Sequence, residues 1–186
     1  MFIDVGYHLT KNQLHQTFIT LFKQWSISVK IMPLGIVNGV ANILNVGHTE
    51  DRDEYGKRTP SIYLKDAMTS LEIETALSGK PRYRIPNSTP LPINEWTLVE
   101  LSQLRKSDGV YQFTVRIADT IFHQMDNTDP KEFSDVEVYT GKSHVLANAK
   151  IANLTINTCP DCDLITTTIE TTTTKQGTYI TQVFKR

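Results

Sequence analysis

Short runs of alternating apolar and polar residues, separated by turn residues, constrain the fold of this chain more than any other feature. Trp25, Ile27, Val29 and Ile31 alternate with Ser26, Ser28 and Lys30, and Leu71 and Ile73 alternate with Glu72 and Glu74. Tyr111, Phe113, Val115 and Ile117 alternate with Gln112, Thr114 and Arg116, and Ala152, Leu154 and Ile156 with Asn153 and Thr155. Successive strand residues point to opposite faces, so each run describes a strand with one face on a core and the other in water. A slip of one residue would turn every apolar group outward, which specifies the register of each run.

Residues 38–47, 60–65, 96–104 and 134–140 are also rich in strand formers, but partly apolar on both faces. In 96–104, Trp96 and Leu98 share one face and Val99 and Leu101 the other, which predicts a central strand or a rim covered by a loop. Trp25 and Trp96 are expected to be core anchors. Turn chemistry separates the runs: Met32-Pro33-Leu34-Gly35, Asn38-Gly39, Asp129-Pro130 and Thr140-Gly141. Ser107-Asp108-Gly109 between two β-rich runs predicts a hairpin joining 96–104 to 110–118. Residues 11–24 fit either a helix, with Leu14, Phe18, Leu21 and Phe22 at helical spacing, or a short strand at 17–22. About ten short strands with such spacing read as an antiparallel two-sheet sandwich or a barrel.

A chain of 186 residues suits one domain with a tail. It needs no disulfide or metal to fold, because a chain of this size buries about 70% of its unfolded surface. Nineteen Lys and Arg against twenty Asp and Glu give a net charge of −1, which argues against nucleic acid as a partner. No apolar run approaches the ~18 residues of a membrane helix, so membrane insertion is not expected. The opening MFIDVGYHLT has neither the basic start nor the apolar centre of a secretory signal. Two N-x-[ST] triplets occur, Asn87-Ser88-Thr89 and Asn153-Leu154-Thr155, as chance or as glycosylation acceptors. The domain is expected over 1–158 and a tail over 159–186. The tail holds Cys159-Pro160-Asp161-Cys162 and the threonine-rich run 166–174. That tail reads either as a mobile segment or as a docked hairpin turning at Lys175-Gln176-Gly177.

Five blocks carry a family resemblance: W-S-I-S-V-K-I-M-P at 25–33, Y-G-K-R-T-P-S-I-Y-L at 55–64, L-P-I-N-E-W-T-L-V-E-L-S-Q at 91–103, D-N-T-D-P-K-E-F-S-D-V-E-V-Y-T-G at 126–141 and A-K-I-A-N-L-T-I at 149–156. Their order resembles laminin G-like and pentraxin-like domains of the concanavalin A-like lectin/glucanase superfamily. The resemblance implies an all-β, two-sheet antiparallel jelly-roll sandwich, usually extracellular, serving recognition or adhesion. The chain departs from the pattern in lacking the disulfide common near the end of laminin G domains and in its threonine-rich tail.

Four groups of residues are candidates for chemistry. The acidic stretch Glu50-Asp51-Arg52-Asp53-Glu54 lies between predicted strands. Its oxygens suit Ca²⁺, which takes six or more oxygen ligands. By the resemblance, Asp51 or Asp53 would act with Asp126 or Asp129; otherwise the stretch is a solvated loop neutralised by Arg52, Lys57 and Arg58. Glu72 and Glu74 share a strand face about 6.5–7 Å apart. That separation lies within the range of glycosidase carboxyl pairs. The resembling glucanases carry E-x-D-x-x-E there, however, and this chain has only L-E-I-E-T-A-L. A polar outer face is the reading adopted. Cys159 and Cys162 lack the second ligand pair of a zinc site and the βαβ setting of a redox pair. They are expected as a local disulfide or two free thiols. Tyr55, Tyr63 and Tyr83 offer rings for stacking on sugars, with Tyr63 and Tyr83 as the better exposed, and Arg82, Tyr83 and Arg84 form a small basic-aromatic cluster that would either meet an acidic glycan or be a solvated edge. The resemblance, together with these residues, implies a non-catalytic extracellular module that binds carbohydrate or a glycosylated protein. The alternative is a protein-adhesion domain without a sugar site, and a glycoside hydrolase ranks below both.

Overall fold

The computed structural model describes residues 6–48, 54–142 and 145–160, together with the backbone of 170–174 and 177–181. Twelve strands build two sheets: β1 (Tyr7–His8), β2 (Gln13–Leu21), β3 (Gln24–Pro33), β4 (Ala41–Gly47), β5 (Ser61–Leu64), β6 (Leu71–Leu77), β7 (Lys80–Ile85), β8 (Thr97–Arg105), β9 (Tyr111–Ile117), β10 (Thr120–Asn127), β11 (Phe133–Thr140) and β12 (Ala149–Cys159). Sheet A runs β1-β12-β3-β8-β9-β10 and sheet B runs β2-β11-β4-β5-β6-β7, antiparallel throughout. Two further strands, β13 (Glu170–Thr174) and β14 (Gly177–Thr181), pair with each other. This is the hairpin that threonine's β propensity allows. The turn residues Lys175 and Gln176 lie outside the described residues. No helix among the described residues is long and apolar enough to cross a membrane.

The core is the layer between the sheets. Sheet A contributes Trp25, Ile27, Val29, Ile31, Val99, Leu101, Phe113 and Val115; sheet B contributes Leu44, Val46, Ile62, Leu64, Leu71, Ile73, Val136 and Val138, all buried. Half of these are apolar members of the alternating runs, as the period of two requires, and the other half come from the runs apolar on both faces. In β12 a register shift between Ala152 and Thr155 breaks the expected alternation: Ile151 and Ile156 face the core, and Ala152 pairs with Lys30. The rings of Trp25 and Phe113 meet at 6.0 Å and 58°, a tilted arrangement that aromatic quadrupoles favour. The predicted hairpin joins β8 to β9 with Arg105 opposite Tyr111. Gly109 takes a positive φ of 85° in its turn, and Asp108 Oδ1 accepts from the Val110 amide at 2.9 Å.

Two expectations meet a different outcome or are resolved. Trp96 is half-buried just ahead of β8, with its ring against Gly6, and does not belong to the buried core. Residues 13–21 form a strand, because β2 pairs along β11 with Phe133 opposite Leu21. A bulge in this pairing and an exposed outer face, with Ile19 84% exposed, blurred its alternation. Strands β7 and β10 had no clear sequence pattern. Both are sheet edges, where Pro81 and charged residues are tolerated, and β10 carries a bulge between Ile121 and His123.

Candidate functional site

The register of sheet B lines up one row of residues across all six strands. Leu14 pairs with Tyr139, Tyr139 with Asn45, Asn45 with Ser61, Ser61 with Glu74 and Glu74 with Arg84. Glu74 alternates with the core residues Leu71 and Ile73 on β6, so the row lies on the face turned away from sheet A. Five strand spacings of about 4.8 Å give it a length of roughly 24 Å. Ser61 donates to Asn45 Oδ1 at 2.6 Å in the middle of the row. One row along, Tyr63 pairs with Glu72, and both are half-buried on this same face.

At the β7 end, three guanidinium groups converge on Glu74. Arg82 Nε donates to Oε1 at 2.7 Å, Arg84 Nε donates to the same oxygen at 2.8 Å, and Arg58 Nη1 stands 3.0 Å from Oε2. The arginines cover the carboxylate so fully that Glu74 is only 1% exposed. The expected polar outer face is present, but Glu74 is not a solvated member of it. Arg58, read as a neutraliser of the acidic loop, is committed to Glu74; Lys57 is the cation that pairs with Glu54, at 3.6 Å. Glu74 therefore stands as an acceptor saturated by cations, unlike the free carboxyl that proton transfer requires.

At the β11 end, Lys142 lies with Nζ 4.2 Å over the ring of Tyr139. Burial and then the negative charge of Glu137 push the Tyr139 phenol up from its ordinary value. Burial pulls the Lys142 ammonium down, with Glu137 opposing the shift and Lys57 adding to it. Gly47 lies between these groups. A side chain there would meet the backbone oxygen of Lys57 at 2.4 Å, so glycine lets the 56–57 segment lie against β4.

The other candidate residues are scattered. Tyr83 points between the sheets, where it packs against the core with its ring 5.9 Å from His123; it is not the exposed ring expected. Tyr55 stacks on Phe133 at 5.8 Å, donates its hydroxyl to the Asp129 carbonyl at 3.0 Å and carries Lys131 over its ring at 4.4 Å. Burial, the largest cause, raises its pKa. Tyr63 and Arg82 thus share the outer face of sheet B, while Tyr55 and Tyr83 do not join them. Asp51 and Asp53 lie outside the described residues. Asp126 pairs with Lys106 at 3.1 Å and Asp129 with Lys131 at 3.1 Å. Among the described residues, no group of three or more His, Cys, Asp or Glu stands ready for a metal. Cys159 is disulfide-bonded, and the one other cysteine of the sequence, Cys162, lies outside the described residues.

The sequence reading missed Glu137, Tyr139 and Lys142; it held Arg82, Tyr83 and Arg84 together as a basic-aromatic cluster, but with Tyr83 exposed. Its one usable signal was the alternation of Arg82 and Arg84 around an inward Tyr83. The convergence of Arg58 depends on a fold-back that no local pattern encodes.

No protein-family model matches the chain, and no curated protein matches it. Solved structures do. A heptameric SAP-like pentraxin from Limulus polyphemus superposes with a TM-score of 0.53 at 14% identity, covering 81% of this chain and 73% of that one. Domain 4 of AbnA, a GH43 extracellular arabinanase from Geobacillus stearothermophilus, in complex with arabinotriose, gives 0.53 at 14% identity, covering 80% and 68%. The sialidase of Trypanosoma rangeli gives 0.51 at 10% identity; the match covers 72% of this chain and 20% of that one. Together with the two six-stranded sheets, these likenesses define the class: an all-β jelly-roll sandwich of the concanavalin A-like type.

Proposed function

We propose that this chain is a non-catalytic carbohydrate-recognition module working outside the cell, with its ligand on the outer face of sheet B. One observation carries the reading. The register sets Tyr63, a half-buried ring, opposite the half-buried Glu72 and one row from the exposed Arg84, while Asn45, Ser61 and Glu74 of that row are buried. A sugar needs such a surface: an aromatic face for its C–H groups and fixed polar groups for its hydroxyls. The similar arabinanase domain, solved with arabinotriose, supports the reading from the side of the fold. A shallow sheet face binds weakly at one site, so useful affinity would come from several copies acting together.

The test is a glycan array with the purified chain, read in calcium and again in EDTA. Selective binding is the expected result, and its loss in EDTA would assign calcium to the region of Asp51, Asp53, Asp126 and Asp129. A blank array in both conditions overturns the reading. It would favour the second one, adhesion to a protein through the β2 edge, where Leu14 and Ile19 are exposed at 49% and 84%.

A further inference from the structure

We propose that Arg82 and Arg84, aimed by Glu74 and backed by Arg58, form an oxyanion site that selects glycans bearing carboxylate or sulfate groups; this rests on the carbohydrate reading above. Three guanidinium charges surround one carboxylate, so the ion-paired set keeps a surplus of two positive charges. Arg82 and Arg84 each engage Glu74 through Nε. A guanidinium has five N–H donors in a rigid fork, so the remaining edges of both are left to an incoming anion. Their side chains are 38% and 59% exposed, on an edge strand, so a ligand can reach them. Because both Nε atoms bind the one oxygen, at 2.7 and 2.8 Å, the two guanidiniums converge side by side.

Arg58 supplies an independent observation. It is buried, and although its Nη1 lies within ion-pair distance of Glu74, that nitrogen has no aligned hydrogen-bond partner. A buried donor left unmade is unfavourable, and a bound oxyanion, or the reorientation it induces, would satisfy it. Glu74 has the role of a positioning residue: it fixes both outer guanidiniums before the ligand arrives, which lowers the ordering cost of binding. Tyr63 lies within one row and one strand of Glu74. A pyranose stacked there would carry its acidic substituent toward the arginines. The overall charge of −1 makes this a local cationic site and not a general polyanion surface.

The experiment measures binding of the full chain to two pairs of labelled oligosaccharides. One pair is oligogalacturonate and its carboxyl-reduced neutral form; the other is a sulfated galactan oligosaccharide and its desulfated form. The expected result is preference for at least one acidic member over its neutral partner, which also tells carboxylate from sulfate. Arg84→Gln should weaken that binding roughly tenfold or more, the size of a lost charge-assisted hydrogen bond. Arg84→Lys should restore only part of it, because an ammonium lacks the planar fork. Arg82→Gln serves as the second variant, and Arg116→Gln, on β9 of the other sheet, should change nothing. Equal binding of acidic and neutral members, or equal losses in Arg84→Gln and Arg116→Gln, would overturn the oxyanion site while leaving carbohydrate recognition standing. No binding to any oligosaccharide, with a blank glycan array, would remove both.

Discussion

Arg58 and Glu74 lie 3.0 Å apart, joining the segment ahead of β5 to the middle of β6, with side chains only 10% and 1% exposed. The backbone supports the same contact: the Ala76 amide donates to the Arg58 carbonyl at 2.8 Å. This pairing turns a row of surface positions into a buried charge cluster, and its consequences for stability can be measured.

Glu74→Gln removes the only carboxylate in the cluster and leaves Arg58 buried without its counter-charge. Breaking a buried pair from one side costs about 3–5 kcal/mol, so a urea titration should show a loss of that order. Arg84→Gln removes an exposed partner and should cost less than about 1 kcal/mol. Equal losses in the two variants would contradict the cluster's described burial.

Asn127 links the two sheets. Its Nδ2 donates to Gln103 Oε1 at 2.6 Å, while its Oδ1 accepts from the amides of Ser78 at 2.8 Å and Asp129 at 3.0 Å. Asn127 and Gln103 are both buried. Asn127→Ala should destabilise by about 1–3 kcal/mol, because it orphans a buried acceptor and two amides. Amide exchange at Ser78 should accelerate in the same variant; unchanged exchange there would show that the link does not hold the β6–β7 turn.

Phe113 is fully buried against Trp25. Phe113→Ala should cost about 3–5 kcal/mol, and Phe113→Leu less, because the cavity is smaller. Trp25 fluorescence should report the same unfolding transition as circular dichroism in both variants.

His15 and His123 set the direction of the acid response. Burial lowers both imidazoles from the ordinary 6.5. A lowered folded pKa means that the unfolded chain binds more protons between the two values, so stability is present above about pH 6.5 and is lost as pH falls through the folded values. His123 Nε2 is buried without a hydrogen-bond partner, and the ring lies near Tyr83 and Phe113. His123→Gln should therefore flatten the decline in urea midpoint between pH 7.5 and pH 5. An identical decline in wild type and variant would assign the acid response elsewhere.

The sequence by itself narrowed the fold to an antiparallel all-β sandwich or barrel, and its family resemblance implied the two-sheet sandwich. Alternation in 25–31, 71–74 and 111–117 fixed which side chains face the core, because the period of a strand is a local property; in 152–156 a bulge between Ala152 and Thr155 breaks it, so Ile151 faces the core and Ala152 pairs with Lys30. Asp108-Gly109 likewise fixed one hairpin, since a positive φ is written into glycine. Edge strands were harder to see: β7 and β10 bury one face incompletely, and a bulge breaks the period in β10. The site was legible only in part. Tyr63 and Arg82 share the outer face of sheet B, whereas Tyr83, expected to be exposed, turns on β7 toward His123. Only the tertiary structure decided that Glu74 would gather Arg58, Arg82 and Arg84. Such a cluster depends on strand neighbours brought together by register and on a segment folded back beside the sheet, and neither the spacing nor the composition of a single stretch encodes that proximity.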